Sequence, residues 1–599
     1  MLCAAGAIGC GDDGAGNPSP ADAGPGPGAG FQDPAAAFPT KTPIKHLIVI
    51  FGENVSFDHY FATYPNAANK PGEKAFTAKP GTPKVNNLIT PLDVNNNFAP
   101  LTGVDLLTAN PNKTNTGNGA DATNPFRLGP ALASTTDQGH NYQPEQLAYD
   151  GGAMDLFPKF TGVSPTGMKV TAPDPDPGKG MVMGYFDGNT LSALWSYAQS
   201  FAMNDNSWTS QFGPSTPGAL NLIAGMANGM TSPNKDFSLF SASHAMADGQ
   251  GGWTMIGDID PVGDVCTTGP EQVLMSGKNI GDSLNAKNIT WGAFMGGFDL
   301  TVVNPNGTTG CLRATDPTAK PFAFNSVDYI PHHAWFQYYP STANPTHARP
   351  SAVAAIGSSK TADGKPEPAN HNYDMHDFFE ALSANNLPAV SFLKAPAYQD
   401  AHAGYSNPTD EQNYLISVVN AVQGSPFWAS TAIILAYDDS DGWYDHQAPP
   451  IVNPSSLAAI GSPSGATDTI DQLNGVGMCL STQFQQGKAA PTTAMVGADG
   501  AKPVLGRCGY GTRLPFVVLS PFARPNFVDH TLTDQASVLR FIEDNWLGGA
   551  RMSPGSFDHI AGTIENMFSF PAGASAADRE ALAASRKLIL DPATGLEPR

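Results

Sequence analysis

The chain has 599 residues, with 53 acidic against 31 basic side chains and a formal net charge of −22 at pH 7. This charge repels polyanions, so it argues against nucleic acid or an anionic membrane surface as a partner. An anionic substrate would need a local cation. With 63 glycines, 53 prolines and 14% charged residues, the composition favours one large, loop-rich domain over a helical bundle.

The first 40 residues contain little that could form a core. Small and apolar residues precede Cys10, as in a bacterial lipoprotein cleavage box, although no basic segment comes before them. We interpret residues 1–10 as the remnant of an export signal with Cys10 as lipid anchor, residues 11–40 as a flexible Gly/Pro/Ala linker, and residues 41–599 as one domain. No later stretch has the roughly 20 apolar residues of a membrane span. We therefore expect an exported protein, periplasmic or at the cell surface, whose only membrane tether would be this lipid.

Apolar runs bounded by turn residues predict strands at residues 47–51, 389–393, 431–437 and 515–519. Helical periodicity occurs at residues 191–203, 374–383, 411–422, 535–546 and 576–588. Turn-rich stretches at residues 71–130, 232–323 and 450–503 predict insertions. The alternation favours a sheet covered by helices on both faces.

The first strand ends on Gly52, Glu53 and Asn54. A strand buried on both faces of an α/β sheet is an apolar run of this kind, and ligands bind beyond the carboxyl ends of such strands. The sequence therefore predicts that Glu53 and Asn54 contribute to a site.

Ser215 follows a Gly-Pro turn and precedes Pro217. Proline is tolerated in the first turn of a helix, where free backbone N–H groups can also bind a phosphate. From this segment alone, a simple N-cap role for Ser215 is the alternative.

Two further residue types carry weaker signals. Loop histidines stand at His140, His332, His333 and His402, and each alone is more often structural than functional. Cysteines in Gly/Pro/Thr-rich segments predict the disulfides Cys266–Cys311 and Cys479–Cys508, with free buried thiols as the alternative.

The strand predicted at residues 431–437 is followed by four aspartates and a histidine within residues 438–446. Such a density of carboxylates directly after a buried strand is costly to hold together without a cation. A solvated acidic loop is the alternative. Because Glu53 and Asn54 also follow a strand, a metal site shared by the two strand ends is favoured.

These segments resemble the bacterial phosphoesterase family, which contains acid phosphatases and non-haemolytic phospholipases C. The resemblance rests on residues 53–61, on His140-Asn141-Tyr142 with residues 150–155, and on residues 437–446, in this order. It covers roughly residues 41–546. It implies an α/β, alkaline-phosphatase-like central β-sheet flanked by helices on both faces, with long loop insertions.

The resemblance also implies a site with one divalent metal ion of unassigned identity. Its ligands would be Glu53, Asn54, Asp438, Asp439 and Ser215. Ser215 would also be the nucleophile, because a bound cation lowers the pKa of a hydroxyl and neutralises phosphoryl oxygens. The resemblance places His140, His333 and His402 around the phosphoryl group, and Asp58, His59, Asp441 and His446 in supporting positions. Trp335 departs from the family pattern after His333, so His332 stays an alternative.

The expected reaction is hydrolysis of a phosphate ester through a phosphoserine intermediate. Serine at position 215, where phospholipase members commonly have threonine, and the short segment after Trp546 favour an acid phosphatase acting on phosphomonoesters. Cleavage of phosphocholine lipids by a phospholipase C mechanism is the alternative. A sulfatase is disfavoured because Ala219 stands where the sulfatase motif has arginine. A non-catalytic secreted binding lipoprotein is the weakest interpretation, and no protein partner is inferred.

Overall fold

The computed structural model describes residues 31–165, 177–232, 237–238, 240–316, 326–482 and 489–598. Within these residues the centre is an eight-stranded sheet. Its strands are β1 His46–Gly52, β2 Ala202–Asn204, β3 Trp291–Met295, β4 Asn372–Asp374, β5 Val390–Lys394, β6 Thr431–Tyr437, β7 Phe516–Leu519 and β8 Phe527–Asp529. Their spatial order is β4-β3-β5-β1-β6-β7-β2-β8. Neighbouring strands are parallel, except that β7 is antiparallel to both β6 and β2.

The described helices connect and cover these strands. They are α1 Phe57–Phe61, α2 Pro111–Thr114, α3 Tyr142–Ala148, α4 Phe157–Phe160, α5 Ser192–Ser200, α6 Ser215–Ala224, α7 Ile280–Ala286, α8 Met375–Ser383, α9 Pro408–Gly424, α10 Leu457–Ile460, α11 Ala536–Trp546 and α12 Ala576–Ser585. Small sheets in the connections pair Leu92–Asp93 with Ala99–Pro100, Phe126–Arg127 with Gly184–Tyr185, Ser207–Trp208 with Thr533–Asp534, Ala245–Ala247 with Trp253–Met255, and Gln272–Met275 with Asp260–Pro261 and Met230–Thr231. None of the described helices has the length and apolar character that a membrane crossing requires.

The two central strands, β1 and β6, are buried on both faces. Every residue of β6 and the first six residues of β1 are buried. Because successive side chains of a strand point to opposite faces, this burial shows that both faces of the sheet are covered. The predicted α/β architecture is confirmed.

Strands β5, β1 and β6 end side by side. In their registers Gly52 is paired with Tyr437, and Ile50 with Leu393. The residues that follow β1 and β6 therefore meet at one edge of the sheet, next to the last residue of β5. This edge is where the candidate site lies.

The four predicted strands and the predicted helices are present, with two corrections. The helix predicted at residues 191–203 ends at Ser200, and the next residues form strand β2. The stretch at residues 232–323 is more than an insertion, because it contributes α7 and the core strand β3. The apolar run of β3 is interrupted by Gly292 and lies among turn residues, so the sequence pattern did not indicate a strand.

The domain begins before the predicted boundary at residue 41. Residues 1–30, with Cys10, lie outside the described residues, but residues 31–40 pack on the domain. The Phe31 ring lies 5.1 Å from the Phe427 ring, Ala35 is fully buried, and Asp33 Oδ1 lies 3.0 Å from His46 Nε2. The linker prediction is therefore wrong for residues 31–40, because their few apolar side chains find a surface to cover.

Both predicted disulfides are present. The Cα atoms lie 5.3 Å apart in Cys266–Cys311 and 6.0 Å apart in Cys479–Cys508. The bonds span 45 and 29 residues of chain, so each restricts a substantial loop of the unfolded chain.

Replacing Cys479 and Cys508 together with alanine is expected to lower the free energy of unfolding by about 3–4 kcal/mol, because the closed loop no longer limits the unfolded chain. Urea unfolding without reductant measures this change. Wild-type protein unfolded with reductant is the control, and its free energy of unfolding should fall further than that of the double variant because both disulfides open. A loss below about 1 kcal/mol in the double variant would show that the bond adds little.

Candidate active site

Ser215 lies at the centre of the strand-end site. Its Oγ lies 2.8 Å from Glu53 Oε2, 3.0 Å from Asp439 Oδ2 and 3.3 Å from Asn54 Oδ1. All four side chains are buried. One hydroxyl proton cannot satisfy three acceptors, so the arrangement concentrates oxygen ligands around a single hydroxyl. Carboxylate, amide and hydroxyl oxygens are the ligands that hard divalent cations prefer.

Backbone contacts hold the two strand ends together. Asn54 has φ +60, a left-handed conformation that asparagine tolerates better than most residues. Its N–H donates to Asp438 Oδ1 at 3.0 Å, and the N–H of Asp439 donates to the same oxygen at 2.7 Å. The Asn54 side-chain amide donates to Asp441 Oδ1 at 3.2 Å. Asp438 thus fixes the backbone from which Asn54 and Asp439 project.

Ser215 is the first residue of helix α6, and Pro214 occupies the N-cap position. The N-cap interpretation of Ser215 is therefore wrong. The N–H of Thr216 is also not free for a phosphate, because it donates to Asp258 Oδ1 at 2.9 Å, and the Thr216 hydroxyl donates to the same oxygen at 2.8 Å. The local sequence could not reveal Asp258, which lies 42 residues away along the chain.

Lys394, the last residue of β5, is a site residue that was not among those predicted from the sequence. Its side chain is buried, its Nζ contacts Glu53 Oε1, and it lies 3.7 Å from Asp438 Oδ2. Burial lowers the pKa of Lys394, although Asp438 and other carboxylates oppose that effect. The rule that identified Glu53, a polar residue directly after a buried strand, would also have identified Lys394.

The carboxylates outnumber this ammonium group. Burial raises the pKa of Asp439 well above its usual range, and the charge of Asp438 adds to the effect. Burial likewise raises the pKa of Asp400, although Lys394 opposes the shift. Ligand atoms of Glu53, His333 and Asp400 lie within 4.8 Å of one another. A buried cluster with more carboxylates than the ammonium group of Lys394 can pair fits a site that holds a divalent cation.

The three predicted histidines lie around the same centre. His140 Nδ1 lies 3.1 Å from Asp441 Oδ1, and the rings of His140 and His402 lie 6.1 Å apart. His333 Nδ1 lies 3.5 Å from Glu53 Oε1. Its neighbour His332 instead lies 3.3 Å from Asp260 Oδ1. Of the two adjacent histidines, His333 is the one in contact with a residue of the site.

The three histidines differ in how their surroundings shift their pKa values. Burial disfavours the charged form of His140, but the carboxylates of Asp439, Asp441 and Asp137 outweigh it and raise the His140 pKa well above its usual range. Burial lowers the pKa of His402, and it lowers that of His333 well below the usual range. Of these three histidines, His140 is therefore the one whose protonated form the site favours.

The predicted supporting residues fall into two groups. Asp441 contacts the site through Asn54 and His140. The others lie in a buried framework beside the site, where His446 Nδ1 lies 2.6 Å from Asp58 Oδ2. His59 stacks on Trp443 at 4.0 Å, and its Nδ1–H donates to the carbonyl oxygen of Gly184 at 2.7 Å. Burial lowers the pKa of His59 to about 3.

Arg513 supplies the positive charge of this framework. It is fully buried, and its Nη2 lies 3.0 Å from Asp445 Oδ2 and 3.4 Å from Asp58 Oδ1. Arg513→Met is expected to lower the free energy of unfolding by about 3–5 kcal/mol, because it leaves the buried carboxylate of Asp445 without its cation and removes one of the two ion-pair partners of Asp58. The control is Lys41→Met, whose ion pair with Glu565 is exposed and should be worth less than about 1 kcal/mol. Equal, small changes in urea unfolding would contradict this assignment.

The sequence of this chain is similar to those of known proteins. The sequence model of the phosphoesterase family matches residues 44–547. Non-hemolytic phospholipase C of Pseudomonas aeruginosa is 30% identical over 165 residues, which cover 27% of this chain and 20% of the relative. Hemolytic phospholipase C of the same organism is 21% identical over 502 residues, covering 84% of this chain and 52% of the relative. Phospholipase C A of Mycobacterium tuberculosis is 22% identical over 549 residues, covering 88% and 78%. The chain thus spans about half the length of the hemolytic relative.

Proposed function

This chain belongs to the phosphoesterase family, and from that membership we propose that it hydrolyses phosphate esters with Ser215 as the nucleophile. The observation that carries the proposal is the convergence of Glu53, Asn54 and Asp439 on the Ser215 hydroxyl. A buried serine surrounded by three oxygen acceptors is poorly explained as a packing residue. It is well explained as a hydroxyl that is prepared to lose its proton.

The proposal includes one divalent cation held by Glu53, Asn54, Asp438, Asp439 and Ser215. When bound, such an ion stabilises the serine alkoxide and the charge on the phosphoryl oxygens. Glu53 Oε1 contacts Lys394 while its Oε2 faces Ser215, so the lysine fixes which oxygen is presented to the hydroxyl. The hydrogen bond from the N–H of Asn54 to Asp438 fixes the position of Asn54 in the same site.

In the proposed reaction, the Ser215 hydroxyl gives its proton to a facing carboxylate, Glu53 or Asp439. Its Oγ forms a bond to phosphorus as the bond between phosphorus and the leaving oxygen breaks. His140 is the best candidate to give the leaving oxygen a proton, because the surrounding carboxylates raise its pKa. His333 and His402, whose pKa values are lowered, serve as neutral groups around the phosphoryl oxygens. Water then cleaves the phosphoserine and regenerates Ser215.

The preferred substrate in this proposal is a phosphomonoester, as in an acid phosphatase, and serine at position 215 supports it. A phosphodiester of a phospholipid is the second candidate. It is favoured by the names of the relatives, which are phospholipases C aligned over as much as 88% of this chain.

We also propose export, with Cys10 as lipid anchor, because two disulfides suit an oxidising compartment.

The deciding experiment compares p-nitrophenyl phosphate with p-nitrophenylphosphorylcholine across acidic, neutral and alkaline pH, using protein supplied with divalent cations. We expect faster turnover of the monoester. Because the raised pKa of His140 keeps it protonated to a higher pH than an ordinary histidine, the rate should fall only as pH rises through that raised pKa. Turnover of the diester alone would overturn the monoester preference. Turnover of neither substrate with any cation would overturn the proposed function.

A further inference from the structure

Glu145 on helix α3 joins the two chain segments that form the site. Its Oε2 accepts a hydrogen bond from the N–H of Gly213 at 2.9 Å, two residues before Ser215. Its Oε1 accepts a hydrogen bond at 2.7 Å from the hydroxyl of Ser440, the residue directly after Asp439. Glu145 itself is buried. One carboxyl group therefore links the turn that carries the serine to the loop that carries the aspartates.

Two further contacts strengthen this connection. The Thr512 hydroxyl lies 3.3 Å from Glu145 Oε1 and 3.0 Å from Ser440 Oγ. The Gln535 side chain makes a second link: its Oε1 accepts a hydrogen bond from the N–H of Ser210 at 2.8 Å, and its Nε2 donates to the main-chain oxygen of Asp438 at 2.5 Å. Gln535, which directly precedes helix α11, thus ties the same two segments together, and Thr512, which lies in a loop, contacts both Glu145 and Ser440.

The turn needs such support because of its backbone conformation. Gly213 has φ +115, which residues other than glycine rarely adopt. A turn of this kind has little regular hydrogen bonding of its own, so its position depends on what its N–H groups contact. A displacement of about 1 Å between reacting groups can cost about 10²-fold in rate.

We propose that Glu145 is a positioning residue that holds Ser215 in register with Asp439. Its effect on catalysis rests on the proposed function, whereas its effect on the turn does not. The carboxyl group makes no direct contact with the Ser215 hydroxyl among the hydrogen bonds of the described residues. It acts through Gly213 on one side and Ser440 on the other.

The chain offers a matched control in the next residue. Gln146 lies on the same helix and is fully buried. Its Oε1 accepts the N–H groups of Gln472 at 2.8 Å and Leu473 at 3.1 Å, which belong to a different loop. Gln146→Ala therefore removes a comparable buried hydrogen-bonding group from the same helix and spares the link to Gly213.

The test compares Glu145→Ala, Glu145→Gln and Gln146→Ala by amide hydrogen exchange and by steady-state kinetics with p-nitrophenyl phosphate. In Glu145→Ala, exchange at Gly213 should accelerate, and kcat should fall about 10- to 100-fold with less change in KM. Glu145→Gln keeps an acceptor for Gly213 and a polar group for Ser440, and burial already raises the pKa of Glu145 to about 7. We expect it to restore kcat to within about fivefold of wild type.

In Gln146→Ala, exchange at Gly213 and kcat should match wild type even if the unfolding temperature falls. Unchanged exchange at Gly213 in Glu145→Ala would overturn the proposal, and so would equal kcat losses in Glu145→Ala and Gln146→Ala. If the wild type turns over no phosphate ester, the proposed function fails. The exchange result would then still decide whether Glu145 positions the turn, and Glu145→Gln provides a folded comparison if the alanine variant does not fold.

Discussion

Ser215→Ala is expected to lower kcat for p-nitrophenyl phosphate by about 10³-fold or more, because it removes the only atom placed to form the phosphoserine bond. Folding should change little. The substitution removes one hydroxyl, and Glu53, Asn54 and Asp439 keep their other contacts with Lys394, Asp438 and Asp441. Rate assays together with thermal unfolding separate the two effects.

The control for this prediction is Ser391→Ala. Ser391 lies on strand β5, is fully buried, and its hydroxyl has no hydrogen-bond partner in the described structure. Its removal should leave kcat within about twofold of wild type. Substantial turnover by Ser215→Ala that matches the control would rule out Ser215 as the nucleophile and would favour direct attack by water.

Removal of the divalent cation is the second large effect. Chelation is expected to lower kcat by about 10²-fold or more and to lower the unfolding temperature of wild type, because buried carboxylates then repel one another. A cation present at about 100 times its Kd would stabilise the folded protein by about 2.7 kcal/mol. Metal analysis, kinetics and thermal unfolding before and after chelation measure these changes.

Asp439→Asn provides the diagnostic variant for the cation. It keeps the shape of a side chain that faces Ser215 but removes one buried negative charge. We expect it to lose activity and to respond only weakly to chelator in thermal unfolding. Asp282→Asn, which changes a helix-capping carboxylate of α7, should keep the wild-type response. A wild type with no bound metal and no response to chelator would contradict the proposed cation.

Much of the site could be predicted from the sequence because strand ends follow a simple rule. The apolar runs before Glu53 and Asp438 indicated strands buried on both faces, and the parallel neighbours of a sheet deliver their next residues to one edge. The structure does place Glu53, Asn54 and Asp439 within hydrogen-bonding distance of Ser215. Their roles as ligands and nucleophile remain predictions.

Other features depend on contacts between distant parts of the chain. The linker prediction failed at residues 31–40 because a few apolar side chains pack on a surface that the local composition does not reveal. In the first helical turn, where free N–H groups were expected, the N–H of Thr216 donates to Asp258. Strand β4 has only three residues, which is too short for a periodic pattern to indicate.

The sequence by itself determined the α/β class, the central strands and the strand ends that bear the polar residues, and it favoured the two disulfides over free thiols. Those features depend on local hydrophobic pattern and residue type. Only the tertiary structure decided that Lys394 enters the carboxylate cluster, that His333 rather than His332 meets Glu53, and that Glu145 links Gly213 to Ser440. Each of these contacts joins residues far apart in the chain, so which ones form depends on how the whole sheet packs.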